Sequence, residues 1–154
     1  MPLYARNPYT KFIDLPTEGH PVARGYPPIQ KNPNKGIAFA TLEIYYKRQQ
    51  WDRSRQFALH LHLNDPADPD WLLCLMYSTR RAKSAEEAFE LALEASRMFP
   101  DNPPIQYNLA CYACLLGKRN LSIDRLLEAI RLDSAFIDRA RNDDDLLALW
   151  DRLK

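Results

Sequence analysis

The strongest constraint on the fold is an interval. Pro66 and Pro100 lie 34 residues apart, and so do Pro69 and Pro103. The residues between them keep the same register without a gap. Ser54, Ala88 and Ser122 form one column of small residues. Ala58, Ala92 and Leu126 form a second, and Leu61, Ala95 and Ala129 a third. Upstream, Thr41, Leu75 and Leu109 align, as do Phe39, Leu73 and Tyr107. A fixed period of this size is the mark of a repeat protein, in which one small unit is stacked on the next.

Each unit reads as two helices. In the first, Ile37, Phe39, Ala40, Leu42, Ile44 and Tyr45 give a broad apolar face, and Trp51, Phe57, Ala58 and Leu61 resume it after a break near Gln49-Gln50. In the second, Trp71, Leu72, Leu75 and Met76 precede Ala85, Ala88, Phe89, Ala92, Leu93 and Ala95. The spacing of three and four in that set is helical. Ser84 followed by Glu87 reads as a capping box. The third unit has Leu109, Ala110 and Leu116, then Gly117 at a turn, then Leu121, Leu126, Leu127 and Ile130. No alternating run of β-branched residues competes with this pattern. The expected core is all-α.

These residues resemble the tetratricopeptide repeat, whose pattern runs W-x2-L-G-x2-Y, then A-x3-F, then P. The second unit is the nearest, with Leu72, Leu75, Met76, Ala88, Ala92, Ala95 and Pro100. The third has Leu109-Ala110, Gly117, Ser122, Leu126 and Ala129, with Ser134 where the proline would stand. The first has Tyr45, Ser54, Ala58 and Pro66, but Thr41-Leu42 departs from the leucine-small pair. The resemblance covers about residues 35–134, and Asn108 to Trp150 is similar to the closing unit of small bacterial repeat proteins. It implies an α-solenoid with repeats at about 35–68, 69–102 and 103–136 and a cap at 137–154. Asn142 is the expected N-cap of a capping helix, with Asp143, Asp144 and Asp145 at its positive end. Leu146, Leu147, Leu149, Trp150 and Leu153 would be the stripe laid over the second helix of unit three, with Arg152 and Lys154 at its C-terminal end.

Ahead of the repeats the composition is different. Seven of the 12 prolines fall in residues 1–34, and three of the four glycines lie in or just after that stretch. Such a segment is expected to be extended, because proline cannot donate to a helix or an inner strand. Tyr4, Tyr9, Phe12, Ile13, Leu15, Val22, Tyr26 and Ile29 are more apolar anchors than a free linker needs. This segment is therefore expected to dock, either on its own groove or on a neighbouring subunit.

Lys and Arg number 21 against 20 Asp and Glu, so neither a nucleic-acid footprint nor an acidic solvating chain is expected. No apolar run reaches the roughly 18 residues that cross a bilayer, and the first residues do not read as a secretory signal. Three cysteines do not make a secreted disulfide framework. A cytoplasmic protein is the expectation.

Signs of chemistry are sparse. Cys111 and Cys114 form a C-x-x-C inside a predicted helix, where buried soft filler competes with a redox pair or half a metal site. His60 and His62 point about 200° apart on a helix and cannot chelate together. His20 has no neighbour that marks it as a base. The Asp143–Asp145 run suits a helix start more simply than a cation. Arg80, Arg81 and Lys83 form the densest basic cluster, which suits a helix C-terminus. With no phosphate loop, G-x-S-x-G or H-E-x-x-H, neither enzymatic activity nor a metal or cofactor is expected.

The family resemblance further implies a concave groove lined by the first helix of each unit. Carried over, it is built of Phe39, Leu73 and Tyr107; Glu43, Tyr77 and Cys111; Tyr46, Arg80 and Cys114; and Lys47, Arg81 and Leu115. The same columns also fit packing between neighbouring helices. The clamp that grips acidic chaperone tails would need lysine and asparagine in the first two columns, and they are absent. The expected function is a non-catalytic adaptor or scaffold that binds a peptide or partner protein. The alternative is a dedicated chaperone similar to those of type III secretion.

Overall fold

The computed structural model describes residues 35–151. The docking expected of residues 1–34 lies outside the described residues, as do Arg152, Leu153 and Lys154. Eight α-helices account for most of the described chain, and no strand occurs among the described residues. They are α1 Lys35–Lys47, α2 Trp51–Asn64, α3 Pro69–Ala82, α4 Ala85–Met98, α5 Pro103–Leu115, α6 Arg119–Leu132, α7 Phe136–Arg141 and α8 Leu147–Asp151. The helices open in step. Lys35, Pro69 and Pro103 start one set at 34-residue intervals, and Trp51, Ala85 and Arg119 start the other.

The small-residue columns lie in the core. Ser54, Ala58, Ala88, Ala92, Ala95, Ser122 and Ala129 are all fully buried. Ser122 resolves its buried hydroxyl by donating to Ala110 O at 2.7 Å, which also ties α6 to α5.

The turns repeat too, but only in the first and third units. After α1, Gln50 N bonds to Tyr45 O and Gln49 N to Tyr46 O, with Gln49 in the left-handed region at φ 54°. After α5, Lys118 N bonds to Ala113 O and Gly117 N to Cys114 O, with Gly117 at φ 74°. This is the same Schellman closure two periods apart. In the second unit the helix instead ends at Lys83, and Ser84 caps the next by accepting from Glu87 N at 3.1 Å. Gln50 and Lys118, at the equivalent position, provide no side-chain cap.

Between Lys83 and Ser84 the chain divides into two compact units. In the first, α2 packs against both α1 and α3. Phe39 lies on Trp71 with ring centroids 5.1 Å apart, and Tyr45 meets Phe57 edge-on at 6.3 Å. Lys35 bridges to α3 through Asp68 at 2.7 Å and Asp70 at 2.8 Å. Partial burial would lower its pKa, but hydrogen bonds to those two carboxylates outweigh that and raise it.

In the second unit α5 is central, packed by α4, α6 and a 3-10 turn over Asp144–Leu146. Gln106 is 1% exposed and fully engaged. Its Nε2 donates to Ser96 Oγ and Pro100 O, both at 3.0 Å, and its Oε1 accepts from Arg125 Nη1 at 3.3 Å. One side chain thus links α4, α5 and α6. A buried polar hub of this kind favours one register.

The capping segment differs from expectation. Asn142 is not an N-cap: it closes the C-terminus of α7, donating Nδ2 to Asp138 O at 2.9 Å. Asp143 is the N-cap, accepting from Asp145 N at 3.0 Å. After the separate short helix α7, the capping segment opens as the 3-10 turn and runs directly on into α8. The turn packs on α5, and α7 touches α6. Leu146 and Leu149 are buried, whereas Leu147 is 51% exposed and stands outside the stripe. Trp150 is anchored by its indole N–H, which donates to Ala140 O at 2.9 Å. Asp143 takes the capping place expected of Asn142, with its carboxylate drawn inward to α5.

Candidate functional site

The residues expected to line a groove separate by depth. Phe39 and Leu73 are 4% exposed and Tyr107 is 1% exposed, so the first column serves packing. Tyr77 and Cys111 are buried as well. Glu43, Tyr46 and Arg80 are half-buried, and Lys47 and Arg81 are exposed. Cys114 is buried, and Leu115 is exposed.

In the first unit the structure gathers three of these around a residue that sequence reasoning treated only as core. Trp51 opens α2. Its ring stacks on Tyr46 at 5.8 Å and meets Tyr77 edge-on at 5.7 Å, and Tyr46 meets Tyr77 at 5.2 Å. The Arg81 guanidinium lies 5.5 Å from the Trp51 centroid and 5.3 Å from that of Tyr77. This contact holds the cation in place without neutralising it. The turn closed by Gln49 brings Trp51 back beside Tyr46. The signal for it was the helix break at Gln49-Gln50, but not which ring would face which.

Beside this cluster opens a cavity of about 510 Å³, lined by Gln49, Gln50, Trp51, Asp52, Arg53, Arg81 and Ala82. Arg53 and Arg81 have no carboxylate partner among the described residues, whereas Asp52 pairs with Arg55 at 3.6 Å. The side-chain oxygen of Gln50 is buried without a donor.

In the second unit Tyr107 packs on Phe136 at 4.9 Å, with the Arg139 guanidinium 5.5 Å from its ring. Its hydroxyl donates to Asp143 Oδ2 at 2.7 Å, and the Cys111 thiol donates weakly to the same atom at 3.9 Å. Burial, aided by its anionic neighbours, pushes the Tyr107 phenol well above its ordinary value. It stays protonated and acts as a donor. Donor atoms of Cys111, Asp143 and Asp145 fall within 4.8 Å of one another. Sequence spacing does not reveal this group, because chain reversal after α6 brings residues 32 apart together. The inward bonds of Asp143 account for its position as a structural lock.

Burial also raises the thiols of Cys114 and Cys74. Neither has the depressed pKa that makes a cysteine a ready nucleophile. His62, partly buried, is pushed below its ordinary value. Among the described residues, no helix is long and apolar enough to cross a membrane. No protein-family model, curated protein or solved structure matches this chain.

Proposed function

We propose that the chain is a non-catalytic protein-interaction module of the tetratricopeptide-repeat kind. On this reading it is an α-solenoid of three helix pairs and a cap, serving as an adaptor or scaffold for a peptide or partner protein. The observation that carries the reading is the recurrence of helix starts at 34-residue intervals, with the same Schellman turn at Gln49 and Gly117. A repeat that persists in backbone hydrogen bonds supports stacked units, because each needs its neighbour to bury its face.

The binding face is then polar and aromatic. Glu43, Tyr46, Lys47, Arg80 and Arg81 offer the accessible contacts, and Phe39, Leu73 and Tyr77 are buried in the same compact unit, while Tyr107 and Cys111 are buried in the other. Half-buried tyrosine and arginine are the residue types that dominate binding energy at protein interfaces. The reading calls for no cofactor.

The test is affinity capture with the full chain, followed by the same capture with Tyr46→Ala and Arg80→Ala combined. A stoichiometric partner should be retained by the parent and lost by the variant, with the helical circular dichroism unchanged. A partner held equally by both would refute the assignment of this face.

A further inference from the structure

Charge in the first compact unit is sorted between its two ends. At one end Lys35 bridges from the start of α1 to the start of α3, beside Asp65, Asp68 and Asp70. The opposite end gathers the other cations. Lys47, Arg48, Arg53 and Arg55 come from the α1–α2 turn, and Arg80, Arg81 and Lys83 from the close of α3. The Arg81 guanidinium against Trp51 shows that the two segments meet. Among the described residues of the unit, seven of eight Lys and Arg therefore share this end. The carboxylates near them are Asp52, already paired with Arg55, and Glu43, one turn further into α1. The near-neutral net charge of the chain conceals this, because residues 47–55 and 80–83 are far apart in sequence.

Helix ends explain only part of the cluster. Lys47, Arg80 and Arg81 lie in the last turns of α1 and α3, where the dipole favours cations. Arg53 lies in the first turn of α2, where the dipole favours anions, and has no carboxylate partner among the described residues. Gln49 is held at φ 54° where the matching turn has Gly117. A side chain kept at a strained position calls for a use other than folding. Both residues line the cavity of about 510 Å³, together with Trp51 and Arg81.

We propose that this end of the unit binds single-stranded nucleic acid. Cations spread along an edge follow a phosphate backbone and do not have to converge on one group. A base enters the cavity against Trp51 and Arg81, because aromatic rings and guanidinium planes both stack on bases. The exposed Gln49 amide offers the base edge a donor and an acceptor. The strand is unpaired, because bases stacked inside a duplex cannot enter a pocket. An acidic peptide would satisfy the cations but leave the stacking wall unused. This ligand is additional to the partner protein proposed above and does not depend on it.

The experiment is fluorescence anisotropy with the full chain. The probes are an end-labelled oligodeoxyadenylate dodecamer and an abasic DNA strand of the same length, with an unlabelled glutamate dodecamer as competitor. The oligodeoxyadenylate should bind saturably in dilute salt, with log Kd rising linearly with log salt. The abasic strand keeps the phosphates without the bases and should bind about tenfold more weakly, the loss expected for one stacked base. Arg48→Gln, Arg53→Gln and Lys83→Gln combined should raise the Kd at least about tenfold and lower the salt slope by about 0.7 for each phosphate contact removed. Arg53→Gln alone should weaken binding about threefold while leaving the melting temperature unchanged or raised, since it takes a cation from a helix start. No saturable binding, equal binding of the abasic strand, competition by glutamate as strong as by oligodeoxyadenylate, or an unchanged salt slope in the triple variant would each overturn the proposal. Capture of a protein partner on the triple variant separates this result from the adaptor reading: a partner retained while oligonucleotide binding is lost leaves that reading intact.

Discussion

Replacing Asp143 by alanine should destabilise the C-terminal unit by about 2–4 kcal/mol. Two losses combine. Removing an N-cap that accepts from Asp145 N costs about 1 kcal/mol. Removing the acceptor of the Tyr107 hydroxyl leaves a donor in a residue that is 1% exposed, which costs about 1–3 kcal/mol. The bond from Cys111, at 3.9 Å, adds little. Asp143→Asn keeps a side-chain oxygen that can cap and accept, so it should lose only about 1 kcal/mol, the charge-assisted share. Tyr107→Phe removes the donor but leaves Asp143 its cap bond to Asp145 N, so it should cost less than Asp143→Ala. Urea denaturation followed by circular dichroism measures all three, and the double variant Tyr107→Phe/Asp143→Ala closes a cycle. A coupling of about 1–2 kcal/mol is expected. Amide exchange at Leu146 and Leu149 should locate the loss in the 3-10 turn and α8. If Asp143→Ala stays within about 0.5 kcal/mol of the parent, the inward carboxylate is not what holds the cap.

Three further outcomes follow from particular positions. Gln49 has φ 54° in a turn where its counterpart is Gly117, so Gln49→Gly should raise stability by about 0.5–1 kcal/mol. Gly117→Ala, whose new methyl meets nothing within 4 Å, should cost about 1 kcal/mol from backbone strain alone; thermal melts check both. Burial lowers the His62 pKa in the fold, so the unfolded chain binds the proton more readily. That contribution is fully present above the ordinary value of 6.5 and is lost as pH falls through the lower folded value. Melting temperature should therefore drop from neutral to mildly acidic pH, and His62→Gln should flatten that slope. Ala92→Leu inserts bulk at a position with 0% exposure and should cost about 1–3 kcal/mol or more by urea denaturation, whereas Ala148→Leu on an exposed face should be nearly neutral.

Period and composition alone determine much of this chain. The 34-residue spacing of Pro69 and Pro103 places the starts of α3 and α5, because proline fits the first turn of a helix and no later one. The columns through Ser54, Ala58 and Leu61 foretell buried positions, because small or apolar side chains at helical spacing suit a core. Gly117 and the break at Gln49-Gln50 mark the turns. These are local properties, carried by a few neighbouring residues, and they can be read in one dimension. What depends on distant pairs could not be read that way. Asp143 looks like part of a solvated acidic helix start until α5 presents Tyr107 and Cys111 to it. Its inward turn makes Asp143 the cap of the closing segment and leaves Asn142 to close α7. Likewise, Trp51 reads as another core aromatic until the left-handed turn at Gln49 sets it beside Tyr46 and Tyr77, with Arg81 against its ring. A short side chain can reach either of two partners, and sequence periodicity has no term for which one lies nearer; the tertiary fold decides by bringing one within hydrogen-bonding or stacking distance.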